Sequence, residues 1–323
     1  ARALGLDAII LNDHYEPGNI SRAPRGLEHG VLFLPGVEMR AGARPGAKSG
    51  VKQGSILAFP LESDFQKKGR SPADLLQEME RQGAVSAAGH VEGTTDWTSL
   101  GPFHAFEVYN LHAELAAASW GGIAFGAVFL PADAFFERAV KTPTANLALW
   151  DRLLAEGRRL TPLAGHDAHA NVNILGVTIG TYAEILRLFS NHILATELTV
   201  DAVAEAVRSG RVYIVFDFLG DGTGFSFTYG EHGAPVDRRA ILGDSPPYRP
   251  EDTLEVSIPG GPADPPRVRF LGDGRMLAEV ESRRASLTPP GPGVYRVEVY
   301  REDRLWILSA PIYVERPEEP EKT

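Results

Sequence analysis

The chain has 323 residues, of which 43% are hydrophobic and 23% are charged, and it carries a net charge of −10 at pH 7. This composition is typical of globular proteins, and the length suits a domain of roughly 200 residues with a smaller second domain. The negative charge and the lack of a dense basic run argue against a nucleic-acid surface. The absence of cysteine excludes disulfides and thiolate metal sites, and no apolar run reaches the roughly 18 residues that span a bilayer.

The first ten residues, ARALGLDAII, contain no initiating methionine. Residues 1–4 are typical of the last turn of a helix, Gly5 of its end, and residues 6–11 of a buried strand. We therefore expect a soluble chain whose beginning is missing. A secreted or periplasmic location, with the signal segment absent from this chain, stays open, and the sequence does not indicate the oligomeric state.

Five short apolar runs each lead into side chains that bind metals or form hydrogen bonds. The runs and these side chains are residues 6–11 with Asp13 and His14, 31–34 with Glu38, 84–88 with His90 and Glu92, 105–109 with the embedded Glu107 and then Asn110, and 160–164 with His166, Asp167 and His169. Parallel strands that converge at one edge would produce this pattern, and imidazole and carboxylate groups are ligands of Zn²⁺, Mn²⁺ and Fe²⁺. The alternative is that these are ordinary polar residues at the starts of loops, with the Asp-x-His group capping a turn.

Helical segments alternate with these runs. Ser71 and Pro72 form an N-cap and first-turn pair before a helix that ends at Gly83. A second helix is predicted over residues 146–156, and Thr199 could cap a third that ends at Gly210 before a strand over residues 211–216. Alternation of strand and helix favours βαβ units and a parallel sheet.

Two long connections lie next to the predicted site. Residues 39–54 form a glycine-rich loop whose cations could attract an anionic substrate, namely Arg40, Arg44, Lys48 and Lys52. A solvated loop without such a role is the alternative. Residues 111–144 form an apolar insertion that is either the wall of a substrate pocket or an ordinary core helix with its connection.

Helical periodicity ends near Gly220, and prolines and glycines then separate short segments of strand type. The predicted strands are residues 253–258, 268–271, 276–281, 295–300, 305–308 and 312–314. Gly272, Asp273 and Gly274 form a predicted hairpin turn. We expect a small β-sandwich domain over residues 221–315 and a disordered tail over residues 316–323, after a first domain of residues 1–220.

The motifs GLDAIILNDH, LPGVE, AAGHVE, FEVYN and AGHDAH, in this order, resemble those of the PHP (polymerase and histidinol phosphatase) superfamily. The segments NLALWDRLLAEGRR and WILSAPIYV are similar to its carbaryl-hydrolase-like (CehA/McbA) branch, whose members often carry a C-terminal β domain. The resemblance covers most of residues 1–220. It implies an α/β fold, a distorted (β/α)7 barrel, with two or three divalent ions of zinc, manganese or iron at its rim. It also implies hydrolysis, usually of phosphate esters, and thus a small anionic ester as substrate.

The resemblance also implies roles for individual residues. The implied metal ligands are His14, Glu38, His90, Asp167 and His169. Asp13 and Asn110 fall at motif positions that support the site. Asp13 and His166 are the candidate catalytic residues, because a carboxyl or imidazole group would protonate the leaving group. Asn110, Arg40 and Lys52 are the candidate substrate-binding residues. Bound metals would lower the pKa of a bridging water and stabilise the anionic transition state.

The sequence also departs from the family pattern. The family has an H-x-H pair upstream of its T-D-H motif, and this chain begins after that point. His166 replaces the serine of the usual G-S-D-x-H motif, Ser55 stands where branch members commonly have histidine, and T-D-H-N has become NDHY. Two hypotheses therefore stay open. One is a metal-dependent hydrolase of phosphate esters, or of carboxyl or carbamate esters, and the other is a degenerate, non-catalytic binding module.

Overall fold

The computed structural model describes residues 1–41, 54–93, 96–97, 101–117, 137–138, 140–168, 173–174, 177–178, 181–260 and 264–317. The strands in these ranges are β1 (Ala8–Leu11), β2 (Gly26–Glu28), β3 (Val31–Pro35), β4 (Val37–Arg40), β5 (Ser55–Phe59), β6 (Val85–Gly89), β7 (Ala105–Asn110), β8 (Thr161–Gly165), β9 (Asn173–Ile174), β10 (Val177–Thr178), β11 (Ser190–Ile193), β12 (Val212–Val215), β13 (Ser226–Glu231), β14 (Asp252–Ser257), β15 (Arg267–Gly272), β16 (Arg275–Glu281), β17 (Arg284–Leu287), β18 (Gly293–Arg301), β19 (Arg304–Ser309) and β20 (Ile312–Val314). The α-helices are α1 (Asn19–Arg22), α2 (Pro72–Arg81), α3 (Leu111–Ala117), α4 (Thr144–Ala155), α5 (Tyr182–Ile185) and α6 (Val200–Arg208).

A small N-terminal sheet, in the order β1-β3-β2, leads into the sheet that carries the candidate site. Strands β3 and β4 are separated only by Gly36, whose amide donates to the Leu11 carbonyl oxygen. A Cβ atom at Gly36 would collide with the side-chain oxygen of Asn12 and the carbonyl of Ala58, so glycine is required at this crossing. Beyond it the chain continues beside the end of β1, where His14 and Glu38 form a parallel bridge.

The central sheet has five strands in the order β4-β5-β6-β7-β8. Pairs β4–β5 and β5–β6 are antiparallel, whereas β6–β7 and β7–β8 are parallel. Strands β4, β6, β7 and β8 therefore run in the same direction, and their carboxyl ends lie at one edge. Strands β6 and β7 are buried along their whole length, which explains why they appear in the sequence as apolar runs without alternation.

The predicted distorted (β/α)7 barrel is wrong. In the described residues the central sheet is open, and several sheets of antiparallel strands take the place of a closed parallel barrel. Helix α2 lies between β5 and β6 as in a βαβ unit, yet these strands are antiparallel, with Val85 beside Phe59. The order of strand and helix does not specify the direction of pairing. Here residues 60–71 and α2 together bring the chain back to the end of β5. Strand β6 therefore begins beside Phe59 and runs in the opposite direction.

The C-terminal strands form two sheets that share one core. The larger has the order β11-β12-β19-β18-β15-β16, with β20 paired to β18, and the smaller has the order β13-β14-β17. Phe227 and Leu254 of the smaller sheet pack in the same buried cluster as Val297 and Trp306 of the larger. Strands from both sides of residue 220 are hydrogen-bonded in the larger sheet, through the pairing of β12 with β19.

Several local predictions are confirmed. Ser71 and Asp74 form a capping box at the start of α2, and the Thr199 hydroxyl accepts the Ala202 amide at the start of α6. Asp273 and Gly274 join β15 to β16 with φ values of 49° and 73°, the positive values that a type I′ hairpin turn requires. The predicted tail extends into residues 318–323, which lie outside the described ranges, as does most of the predicted insertion.

No helix in the part of the chain that the structure describes combines the length and apolar character needed to cross a membrane.

Candidate metal centre

Three predicted ligands meet at the carboxyl edge of the central sheet. The Nε2 atom of His90 lies 3.4 Å from Oε1 of Glu38 and 3.4 Å from Oδ2 of Asp167. One ligand atom from each of the three residues can be chosen so that all lie within 4.8 Å of one another. Residues as far apart in the sequence as Glu38 and Asp167 thus present, together with His90, one imidazole and two carboxylates to a common point.

The distances are compatible with ligation of one metal ion. Two ligand atoms bound at about 2.1 Å to a tetrahedral zinc ion are about 3.4 Å apart. The separations of His90 from Glu38 and Asp167 therefore match the edges of a coordination shell, and the donor atoms are those that zinc, manganese and iron accept.

The backbone at the strand ends directs these side chains. Strand β6 ends at Gly89 and β8 at Gly165, and His90 and Asp167 then adopt the left-handed conformation with φ values of 48° and 46°. This conformation is uncommon for residues other than glycine, although His and Asp adopt it more readily than most. Two of the three cluster residues thus have strained backbones, a feature that concentrates at functional sites.

The contacts of His90 leave its Nε2 atom facing the other two ligands. Its Nδ1 atom lies 3.3 Å from Oε1 of Glu92, and a carboxylate at this nitrogen is the usual partner of a metal-binding histidine, because it fixes the tautomer. The carboxylates of Glu38 and then Glu92 raise the pKa of His90 to about 11. His90 is therefore protonated at neutral pH when no metal is bound, and an ion that binds at Nε2 must displace that proton.

Glu38 is held in place by a second contact. The Ser55 hydroxyl donates to its Oε1 atom at 2.5 Å, across the antiparallel pair β4–β5. Burial alone would raise the pKa of Glu38, but contacts with His90 and Ser55 outweigh it and hold the pKa below its ordinary value. The carboxylate is therefore ionised and available as a ligand at neutral pH.

The other predicted site residues lie at different distances from this cluster. His14 is at its rim, with Nδ1 3.7 Å from Oε2 of Glu38 and its side chain 72% exposed. Asp13 is exposed, and its backbone oxygen accepts the Glu38 amide. Arg40 is exposed at the end of β4, two residues after Glu38. His169 and Lys52 lie outside the described residues.

Two predicted residues have contacts elsewhere. The His166 ring stacks on Phe189 with centroids 4.0 Å apart, and its Nε2 lies 2.9 Å from the Phe189 carbonyl oxygen. Burial lowers the pKa of His166 to about 4, so its imidazole is neutral at pH 7. Asn110 is buried; its amide donates to Glu107, and its side-chain oxygen accepts the Ala113 amide in the first turn of α3.

Sequence reasoning assigned no role in the site to three residues around the cluster: Ser55, Glu92 and Glu107. Ser55 appeared only as a departure from a histidine pattern. Glu92 stands two positions after His90, so its spacing was a usable signal. Glu107 lies within a strand of otherwise apolar type, and an acidic residue in a fully buried strand was itself a signal, because a buried carboxylate needs partners.

Comparison with known proteins does not identify a family. No family model matches this chain, and a search of curated proteins also found no match. The resemblance to the PHP superfamily therefore depends on the sequence motifs alone and stays a prediction.

Proposed function

We propose that this protein is a metal-dependent hydrolase whose substrate is a small anionic ester, namely a phosphate ester. The observation that supports the proposal is the convergence of Glu38, His90 and Asp167, with Nε2 of His90 3.4 Å from an oxygen of each carboxylate. A divalent ion held there supplies the acidity that lowers the pKa of a coordinated water and stabilises an anionic transition state. The sequence motifs favour the same chemistry.

The residues of the chain have distinct parts in this proposal. Glu38, His90 and Asp167 bind the ion, and Glu92 orients the His90 ring through Nδ1. Side chains two positions apart in a strand lie on the same face, so Arg40 lies on the same face of β4 as Glu38 and can contact an anionic group of the substrate. Asp13 and His166 stay the candidates for proton transfer; Asp13 is exposed, whereas His166 contacts Phe189.

Metal binding tests the proposal directly. After treatment with a chelator and dialysis, the protein is titrated with Zn²⁺ or Mn²⁺ in a calorimeter, and hydrolysis of p-nitrophenyl phosphate and p-nitrophenyl acetate is measured with and without metal. We expect the wild-type protein to bind metal and to hydrolyse the phosphate ester only when loaded. The variant His90→Ala should raise the Kd more than about 100-fold, since losing a ligand costs more than losing a supporting contact.

The matched control is His232→Ala. His232 is exposed and contacts Glu255, on a strand of the smaller C-terminal sheet, so its removal should leave metal affinity unchanged. A wild-type protein that binds neither ion, or one whose affinity survives His90→Ala, would show that the cluster is not a metal site. Metal-dependent turnover of the acetate alone would instead assign a carboxyl ester as the substrate.

A metal-binding module without hydrolytic activity is the second candidate. The contacts of two predicted site residues favour it: His166 is neutral and packed on Phe189, and the Asn110 side chain binds Glu107 and the start of α3. Stoichiometric metal binding that His90→Ala abolishes, with no turnover of either ester, would support this candidate over the hydrolase.

A further inference from the structure

Glu107 is a buried carboxylate directly behind the candidate metal centre. It lies in the third position of β7, between β6 and β8, and is only 4% exposed. Burying a carboxylate is costly unless its oxygens are hydrogen-bonded, and an apolar side chain of similar size would fill the same volume at lower cost. The contacts of Glu107 therefore indicate a purpose other than packing.

Both carboxylate oxygens of Glu107 accept hydrogen bonds. Oε2 accepts the backbone amide of His90 at 2.8 Å, and Oε1 accepts the side-chain amide of Asn110 at 3.2 Å. The first bond links Glu107 to His90, which directly follows β6 and has the left-handed conformation. It thereby fixes the point from which the His90 side chain extends toward Glu38 and Asp167.

The glycine that ends β8 makes room for the carboxylate of Glu107, and the glycine that ends β6 lies beside it. A Cβ atom at Gly165, the last residue of β8, would overlap Oε1 of Glu107. One at Gly89, the last residue of β6, would clash first with the Leu57 side chain at 2.9 Å and would lie 3.4 Å from Oε2 of Glu107, which is an ordinary contact distance. The strand ends that precede His90 and Asp167 are thus both packed against one side chain.

We propose that Glu107 is a positioning residue for the metal centre: its carboxylate holds the ends of β6 and β8 so that His90 and Asp167 reach the same ion. This inference rests on the proposed function, because it assumes that the cluster binds metal. Glu107 is not one of the three residues whose ligand atoms converge. It acts through the His90 backbone amide and through the space beside Gly165.

The variant Glu107→Gln tests the role at nearly constant volume. The amide can accept the His90 N–H with its oxygen, but its NH₂ group then faces the NH₂ group of Asn110, so one of the two contacts is lost. We expect the Kd for Zn²⁺ to rise about 10- to 100-fold, as for other residues that support metal ligands. We also expect the visible absorption bands of the Co²⁺-loaded protein to change, because these bands report ligand geometry.

Glu298→Gln is the matched control. Glu298 is likewise buried and hydrogen-bonded, to Arg296 and Tyr300, but it lies in β18 of the C-terminal sheet. Its substitution should lower thermal stability and leave the Zn²⁺ affinity and the Co²⁺ spectrum unchanged. A role of Glu107 in stability alone would give the same result as this control.

A second variant keeps the proposal testable if Glu107→Gln does not fold. Gly165→Ala leaves the carboxylate intact but places a methyl group on Oε1, so it should also weaken Zn²⁺ binding and alter the Co²⁺ spectrum. Gly291→Ala is its control, since a Cβ atom there meets nothing within 4 Å. If both Glu107→Gln and Gly165→Ala retained the wild-type Kd and spectrum, the positioning role would be refuted while the metal site stood. A wild-type protein without metal affinity would refute both proposals.

Discussion

His90 and Asp167 have left-handed backbone conformations that the neighbouring sequence does not predict. Each follows a strand end, and each has a positive φ, near 48° and 46°. The residue types and the glycines before them could be recognised as a candidate site from sequence. The left-handed turns could not, because they depend on the contact of Glu107 with the His90 amide and on the space at Gly165. The chemistry of the site was therefore predictable at this scale, and its geometry was not.

Asp217 gives a prediction at the same scale. It follows β12, accepts a hydrogen bond from Ser190, and has its pKa raised to about 6 by burial. Because the folded state binds its proton more tightly than the unfolded state does, Asp217 destabilises the fold increasingly as pH rises from about 4 through 6, and the full penalty is present above pH 6.

The variant Asp217→Asn should remove this penalty. At pH 8 we expect its free energy of unfolding to exceed that of the wild type by about 1 kcal/mol, a value reduced from the full shift because the group is partly exposed. Near pH 4 the difference should vanish. Urea unfolding at both pH values measures it, and an equal effect at pH 4 and pH 8 would contradict the assignment.

At the scale of elements, strands and helices were predictable where their signals are local. The strand predicted over residues 211–216 contains β12 (Val212–Val215), and the caps at Ser71 and Thr199 begin α2 and α6 as expected. The antiparallel direction of β5 and β6 was not predictable. It depends on which end of β5 the connecting segment reaches before β6 begins, and not on the residues of either strand. The barrel prediction failed at that point.

Helix α4 is joined to β18 by a buried ion pair, which gives a second prediction. Arg296 donates to both carboxylate oxygens of Asp151, at 2.7 and 2.8 Å, and its side chain is 3% exposed. The variant Asp151→Ala leaves the guanidinium, among the described residues, with Glu298 as its acidic partner. We expect the free energy of unfolding to fall by about 3 kcal/mol, as when one member of a buried pair is removed.

The control is Glu315→Ala, which breaks the ion pair of Glu315 with Arg159. Both side chains there are more than half exposed, so the cost should stay below about 1 kcal/mol. Urea denaturation of the two variants gives the comparison. Equal losses would mean that the pair between Asp151 and Arg296 does not secure α4 to the sheet.

At the scale of the whole molecule, the shared sheet predicts that the two halves of the chain fold together. Strand β12 pairs with β11 on one side and with β19 on the other, and Ile214 and Phe216 are buried in the same cluster as Leu308. A fragment of residues 1–220 would expose these side chains and leave one edge of β12 unpaired.

We therefore expect the fragment of residues 1–220 to lack a cooperative thermal transition by circular dichroism. The chain ending at residue 317, which keeps every described strand, should unfold in a single transition like the full chain. A fragment of residues 1–220 with a sharp transition and native near-ultraviolet signal would show instead that residue 220 is a boundary between independent domains.

The sequence by itself determined the positions of most elements, the cap and turn residues, and the types of side chain available for metal binding, because strand period, capping and turn chemistry act over a few neighbouring residues. Only the tertiary structure decided that Glu38, His90 and Asp167 meet while His166 packs on Phe189. It also decided that β5 runs against β6 and that β12 joins the C-terminal sheet. The reason is physical: strand direction and side-chain convergence depend on contacts between residues far apart in the chain, which no local pattern encodes.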